Sequence, residues 1–464
     1  MRGFVPTPDA TVDQMVSKLF DGKPPREGQS LLDPGCGPGA FIDGVIRWCK
    51  KNKKRSPKII GYESHPERHA EAVKRFRAFP NIEILCQDFL KATGEPFDYI
   101  IGNPPYVPIT EISKSEKMAF RRRFVAAEGR FDLYLLFFEQ ALRLLNLNGR
   151  LVFITPEKFL YVNSARSFRR VLANYYVREI NMLSEETFAD LVTYPTITTI
   201  DSPTDLRSTL TAIVSRSGQR KSIVFPKDSS SLQPLLHDEI VLNGYGMATL
   251  GDICRRISCG IATGFDSVFV RKTGELTPGM KRFAFPTISG RELGEGSTPL
   301  ISDRSMLIPY NRRGQLLALS DLGELKTYLA RPDVKEKLKS RTCVDRKPWH
   351  AFHDSVPLAD ILKPKLICKD IAAKPRFWVD RTGEIVPRHS VYYIVPQDES
   401  KIDALAEFLN GPEAAAWLNA HCQRASKGFL RLQSSVLKRL PIPDSLNSAE
   451  DKSDPAPMRD ARAA

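Results

Sequence analysis

The chain has 464 residues, 42% hydrophobic and 26% charged, values of a globular protein long enough for two or three cored domains. Its 68 Lys and Arg against 54 Asp and Glu leave a net charge of +14; residues 1–240 carry 34 basic and 28 acidic groups and residues 241–464 carry 34 and 26, so the excess is +6 and +8. That balance suits a polyanionic partner, although mildly basic proteins without one are common. The N-terminus lacks the apolar core of a signal peptide, and no apolar run reaches membrane-spanning length, so no membrane association is expected. The eight cysteines, at 36, 49, 86, 254, 259, 343, 368 and 422, include no CxxC pair. This argues against a zinc site and for reduced thiols in a cytoplasmic protein.

In chain order, Val12, Met15, Val16, Leu19 and Phe20 have helical spacing. Short apolar strands then alternate with amphipathic helices. Ser30–Leu32 leads into a glycine turn and a helix over Phe41–Cys49. Lys58–Tyr62 reads as a strand, Pro66–Phe79 as a helix, Ile82–Leu85 and Phe97–Gly102 as strands, Leu133–Leu145 as a helix and Arg150–Thr155 as a strand. The alternation predicts an α/β domain whose mostly parallel sheet carries helices on both faces. The rhythm fails over 201–245, read as a connection with one short strand at Thr211–Val214. After Leu250 come short strands, loops and scattered helices, a mixed α+β pattern, with helical spacing again at Ile402–Asn410 and Pro412–Cys422. The polar, Ala/Pro-rich end, 447–464, reads as disordered. The expected domains are 1–225, a linker at 226–246, and 247–446.

The turn Asp33-Pro34-Gly35-Cys36-Gly37-Pro38-Gly39 joins a strand to a helix, where glycines allow close approach of a ligand to the backbone. Alone, a glycine turn serves NAD or simple tight packing equally well. The next two strands each close on an acid. Glu63 can accept from both ribose hydroxyls and Asp88 from an adenine amine, while Phe89 covers a ring face. Either acid by itself is an ordinary turn residue; three such features in consecutive βα units are harder to dismiss. The turn holds Pro38 and no neighbouring Arg or Lys, which favours a cofactor without phosphates. Asp33, Gly35, Gly37, Glu63, Asp88 and Phe89 are the cofactor candidates.

The fourth strand runs into Asn103-Pro104-Pro105-Tyr106, 15 residues after Asp88 and 70 after Asp33. Such a tetrapeptide is commonly a mere β-turn. At a strand end it can also do chemistry. An exocyclic adenine amine is a poor nucleophile because its lone pair is delocalised into the ring. Two acceptors beside its hydrogens, the Asn103 side-chain oxygen and the Pro104 carbonyl, can hold the nitrogen towards sp³ geometry. The prolines remove competing N–H groups. Tyr106 offers a ring to the base, a contact worth about 1–3 kcal/mol in single-strand systems.

Here the sequence resembles the N6-adenine DNA methyltransferases of TaqI-like, γ-type motif order. Phe4–Pro8, with Thr7 and Pro8 in matching places, is similar to that family's N-terminal cofactor-contacting segment. The glycine turn, Glu63, Asp88-Phe89 and Asn103–Tyr106 follow in the family's order, then Phe131–Tyr134, Gly149–Pro156 and Glu157–Phe159. Val192–Pro195 resembles the segment that supplies a second aromatic contact to the flipped base, here Tyr194. Leu250–Ile253 with Gly260–Gly264, and Leu440–Pro443, resemble the opening and close of its target-recognition domain. The region from Phe265 to Arg439 matches only loosely. The resemblance implies a Rossmann-like class I methyltransferase domain with a seven-stranded sheet and a C-terminal recognition domain. It also implies S-adenosyl-L-methionine as cofactor, with Thr7 among its contacts, and methyl transfer to N6 of a flipped adenine in double-stranded DNA.

Candidate DNA contacts are Arg121, Arg122 and Arg123, as plausibly a solvated helix face, and Lys374, Arg376, Lys427 and Arg431, where charge interleaves with aromatics. Trp349, His350 and His353 read as structural. No nuclease motif is evident, so a restriction endonuclease, if one accompanies this chain, is expected as a separate polypeptide; a monomer is expected. The competing readings are N-methylation of a protein glutamine amide, of guanine in ribosomal RNA, and a DNA-binding module with an inactive catalytic half. The first fits poorly with the short segment before Leu31. The second leaves Leu250–Pro443 without a role, and the intact Asn103–Tyr106 and Glu63 speak against the third.

Overall fold

A computed structural model describes residues 5–188, 194–202, 210–228, 230–232, 245–294, 302–425 and 428–447. The chain divides into two compact units, Met1–Asp238 and Glu239–Ala464. The expected disordered tail beyond 447 lies outside the described residues.

In the first unit, α1 (Asp9–Phe20) precedes β1 (Ser30–Asp33), α2 (Ala40–Lys51), β2 (Lys58–Tyr62), α3 (Pro66–Phe76), β3 (Ile82–Leu85) and β4 (Phe97–Gly102). Then come α4 (Lys114–Arg123), α5 (Leu133–Arg143), β5 (Leu145–Pro156), α6 (Arg166–Leu172), β6 (Tyr176–Met182), β7 (Pro195–Asp201), β8 (Leu210–Val214) and β9 (Arg220–Val224). The sheet order is β3-β2-β1-β4-β5-β7-β6-β8-β9. Strands β3 to β5 are parallel, and β7 runs antiparallel to both β5 and β6.

Alternate residues of one strand feed separate cores. Leu32, Ile100, Leu151 and Phe153 pack against α5 and α6, whereas Leu31, Ile101, Val152 and Ile154 pack against α1 and α2. Burial on both faces is what a parallel sheet requires. This is the Rossmann-like class I methyltransferase architecture the sequence implies, with nine strands among the described residues rather than seven. Of the extra two, β8 is the short strand expected at Thr211–Val214, and β9 occupies part of the stretch expected to be a connection. In β9 exposed residues alternate with half-buried ones, and Val224 is 65% exposed, so this polar edge strand has the composition of a loop.

The second unit is mixed α+β. One antiparallel sheet orders Cys254–Cys259, Val391–Pro396, Lys365–Lys369 and Phe377–Asp380; another orders Val270–Lys272, Arg304–Leu307, Ala284–Ile288 and Val386–Pro387. Helices Ile402–Asn410 and Pro412–His421 cover a core around Leu405, Trp417 and Leu437, and a separate core gathers Phe269, Met306 and Phe352. All eight cysteines are free thiols. Among the described residues no helix is long and apolar enough to cross a membrane.

Candidate active site

A cleft of about 250 Å³ opens at the carboxyl ends of β1 to β4, the edge where parallel sheets place their ligands. The glycine turn forms one side. Gly37 and Gly39 have φ of +52° and +97°, and a Cβ on Gly39 would lie 2.2 Å from the Phe76 ring of α3. Glycine is therefore required there by both dihedral and space. The Cys36 amide donates to the Tyr62 carbonyl at 2.9 Å, pinning the turn to β2.

Glu63 follows β2 and is nearly buried. Its Oε1 accepts from the His65 amide (2.7 Å) and Arg68 Nη2 (3.0 Å), and its Oε2 accepts from Arg68 Nε (3.1 Å). The planar guanidinium fork holds the carboxylate in one orientation. Asp88 caps the following turn through Oδ1, which accepts from the Leu90 amide at 3.0 Å. Phe89 packs edge-on to Tyr62 with ring centroids 5.6 Å apart, and both line the cleft.

Arg68 was not anticipated, nor was the cleft-lining Gln87. The expectation of no cation near the turn fails in space, because α3 brings two. Arg75 pairs with Asp43 and lies 3.4 Å from the Pro38 carbonyl, and Arg68 is taken by Glu63. Both charges are neutralised by carboxylates, so the physical point survives: the cleft keeps no unpaired cation at these positions for a phosphate.

Asp33 departs further from expectation. It is wholly buried, and a Cβ on Gly102 would lie 3.2 Å from its Oδ1, so it supports the turn from behind rather than lining the cleft. Burial, with a smaller push from the Glu63 charge, raises its carboxyl to about 8, against the Gly35 amide.

Asn103 sits directly after β4, on the cleft wall. Its Nδ2 donates to the Val5 carbonyl at 3.0 Å and to Thr7 Oγ1 at 3.1 Å. Its Oδ1 is buried and has no hydrogen-bond partner among the described residues. Thr7 thus touches the tetrapeptide, a contact the sequence did not suggest. Pro104 is buried, and Tyr106 directs its hydroxyl at the Ile154 carbonyl (3.4 Å). The Tyr106 ring meets Tyr134 at 6.3 Å and Phe188 at 6.4 Å, both edge-on, and burial raises its phenol above the ordinary range. Tyr194, just before β7, has a different neighbour: the Arg216 guanidinium lies 4.8 Å from its ring centroid. Arg216 also pairs with Glu157, whose amide donates to the Tyr194 carbonyl at 2.8 Å.

Arg121, Arg122 and Arg123 form the exposed last turn of α4; Arg121 donates to the Gly129 carbonyl and Arg123 lies against Phe124. In the second unit, Ile371–Ala372, Leu430–Arg431 and Gln423–Arg424 form one small sheet. The two basic stretches seen in the sequence are thereby brought together. Ala372 and Leu430 face inward, while Ile371 and Arg431 are exposed across from Gln423. Lys374 and Arg376 are exposed nearby in sequence, with Arg376 over the Trp378 ring; Lys427 lies outside the described residues. His350 is buried against the Leu317 carbonyl, as a structural residue would be.

Residues 46–188 match the family model described as Eco57I restriction-modification methylase. The Type II methyltransferase M.PaeR7I of Pseudomonas aeruginosa is 26% identical over 395 residues, which cover 77% of this chain and 66% of that protein. M.BstVI of Geobacillus stearothermophilus, also a Type II methyltransferase, is 25% identical over 97% of this chain and 92% of its own length.

The chain is similar to the Type II restriction-modification methyltransferases. The span matched by the family model includes Glu63, Asp88 and Asn103–Tyr106, so the match agrees with the resemblance those motifs carry. The solved Type IIL restriction-modification enzyme MmeI shares the fold, with a TM-score of 0.63 over 93% of this chain and 64% of its own at 14% identity. The cofactor is S-adenosyl-L-methionine, and the cleft fits it. Two carboxylates at strand ends suit a ribose diol and an adenine amine, Phe89 and Tyr62 supply apolar surface, and the arginines that a phosphate would need are already paired.

Proposed function

We propose that this chain is a site-specific DNA methyltransferase that modifies N6 of an adenine turned out of double-stranded DNA, the modification component of a restriction–modification system. The observation that carries the reading is the polarity of Asn103. Its two N–H donors are consumed by Val5 and Thr7, and the acceptor Oδ1 is left buried without a partner. A buried acceptor without a partner is costly in the free protein, and an incoming amine would relieve that cost.

The Pro104 carbonyl is the second acceptor, held in direction because the Pro104 ring fixes its φ and the following Pro105 restricts its ψ. Together they draw the amine hydrogens aside and expose the nitrogen lone pair. When bound, S-adenosyl-L-methionine supplies the electrophilic methyl group. Glu63 and Asp88 orient it, and Tyr106 is the stacking surface for the base, with Tyr194 the candidate second face. No strong general base is needed, because the methylated amine sheds its proton readily. A paired base cannot enter such a site, so the target is extruded, at a cost of a few kcal/mol. Residues 1–225 serve as the catalytic domain and 247–446 as the recognition domain, joined by 226–246. Arg121–Arg123, Lys374, Arg376, Lys427 and Arg431 are candidate backbone or base contacts.

The test is incubation with radiolabelled cofactor and DNA, RNA and protein substrates, followed by digestion of labelled DNA to nucleosides. Label in N6-methyl-2′-deoxyadenosine supports the proposal. Label in a cytosine amine would keep the gripping chemistry and change the base. Unimpaired labelling by Asn103→Ala would end the reading.

A further inference from the structure

We infer that Thr7 is a positioning residue for methyl transfer, acting through Asn103; the inference rests on the reading of Asn103 given above. The resemblance assigns Thr7 only to the cofactor. The structure shows its Oγ1 accepting the second Nδ2 hydrogen of Asn103 at 3.1 Å, while the Val5 carbonyl accepts the first at 3.0 Å.

The polarity of a carboxamide is set by its partners, since its two ends differ only in donating or accepting. The Val5 carbonyl can only accept. Turning the Asn103 amide over would set Oδ1 against that carbonyl and present N–H groups to an amine that itself donates. Val5 therefore selects which end faces the cleft. One hydrogen bond leaves the plane free to swing about its terminal torsion, which is broad in asparagine. The second, to Thr7, closes a two-point clamp and fixes the direction in which Oδ1 points. Because the Thr7 oxygen is occupied as an acceptor, its own hydroxyl hydrogen remains available to a different neighbour, so a cofactor contact and the clamp are compatible. The clamp joins the segment before α1 to the tip of β4, 96 residues apart in sequence.

The experiment measures the single-turnover rate of methyl transfer to unmethylated bacterial DNA at saturating tritiated S-adenosyl-L-methionine, alongside cofactor Kd by calorimetry. Thr7→Val keeps the shape and removes the acceptor, leaving a part-buried N–H of Asn103 unpaired; the rate should fall about tenfold at saturating cofactor. Thr7→Ser restores the oxygen and should bring the rate back to within about twofold of the parent. An unchanged rate for Thr7→Val at saturating cofactor overturns the inference, whether or not Kd rises. If circular dichroism shows Thr7→Val unfolded, Thr7→Ala against Thr7→Ser decides by the same criterion. A fully active Asn103→Ala would sink the underlying reading. An inactive Asn103→Ala beside an unimpaired Thr7→Val would sink only the clamp.

Discussion

The buried carboxyl of Asp33 makes the stability of the first unit depend on pH in a direction opposite to that of an ion-paired acid. In the unfolded chain it releases its proton near 3.8; in the folded chain burial holds the proton on until about 8. Between those values the native state binds one more proton than the unfolded state, so stability falls as pH rises through the window and is level above it. Asp33→Asn has nearly the same shape and cannot ionise in either state, so it removes this term. Relative to the parent, the variant should gain about 1.4 kcal/mol per pH unit, or about 3 kcal/mol between pH 5 and pH 7. The difference converts to roughly 6–12 °C in the melting temperature of a domain of this size. Thermal unfolding of both proteins without cofactor at half-unit intervals from pH 5 to pH 9 gives the two curves. Their difference cancels the titrating groups that do not interact with Asp33. Parallel curves across the window would show that Asp33 is ionised in the folded protein, and would refute the argument from burial.

Three further outcomes follow from the same geometry. Gly39→Ala forces a side chain to φ +97° and to 2.2 Å from Phe76, so it should destabilise the first unit by about 2–4 kcal/mol and weaken S-adenosyl-L-methionine binding, read by melting and calorimetry. Arg68→Ala strips the guanidinium fork from Glu63 and should weaken cofactor binding by on the order of 2 kcal/mol, with Arg68→Lys restoring only part of it; equal Kd values for all three proteins would contradict the clamp on Glu63. In the second unit Lys365→Met leaves Asp380 buried without its ammonium partner and should cost about 3 kcal/mol. Asp380 retains the Gly383 and Ile385 amides, so a loss well under 1 kcal/mol in urea unfolding would mean those bonds suffice.

The first unit was largely legible because its elements obey strong local rules. Apolar runs of strand length alternate with helices of 3.6-residue spacing, and each chemically distinctive residue lies just past a strand end. Glu63, Asp88 and Asn103 line one cleft for that reason. What stayed hidden has specific causes. Arg68 lies in the first turn of α3 and looks like any charged residue of a helix surface; only the fold turns it towards Glu63. Thr7 and Asn103 are far apart in sequence, and no periodicity encodes their contact. Of the two rings beside Tyr106, Tyr134 belongs to a recognised segment, but Phe188 lies in a short turn after β6 with no motif around it. The small sheet that unites Ile371, Gln423 and Arg431 is made of two-residue strands, too short for alternation to register.

The order of the strands explains why these residues can meet at all. The sheet runs outward from β1 to β2 and β3 on one side, and from β4 to β5 on the other. The chain thus reverses its direction of travel between β1 and β4, and the connections leaving those two strands diverge to opposite faces. A crevice must open at their carboxyl ends, since no connection crosses there. Glu63 and Asp88 come from one side of that crevice, at the ends of β2 and β3, and Asn103 comes from the other, at the end of β4; on the proposed function they serve the methyl donor and the acceptor base respectively. A donor and an acceptor supplied by one side alone would compete for the same strand ends. Placing them on either side of the reversal lets each pocket vary without disturbing the other.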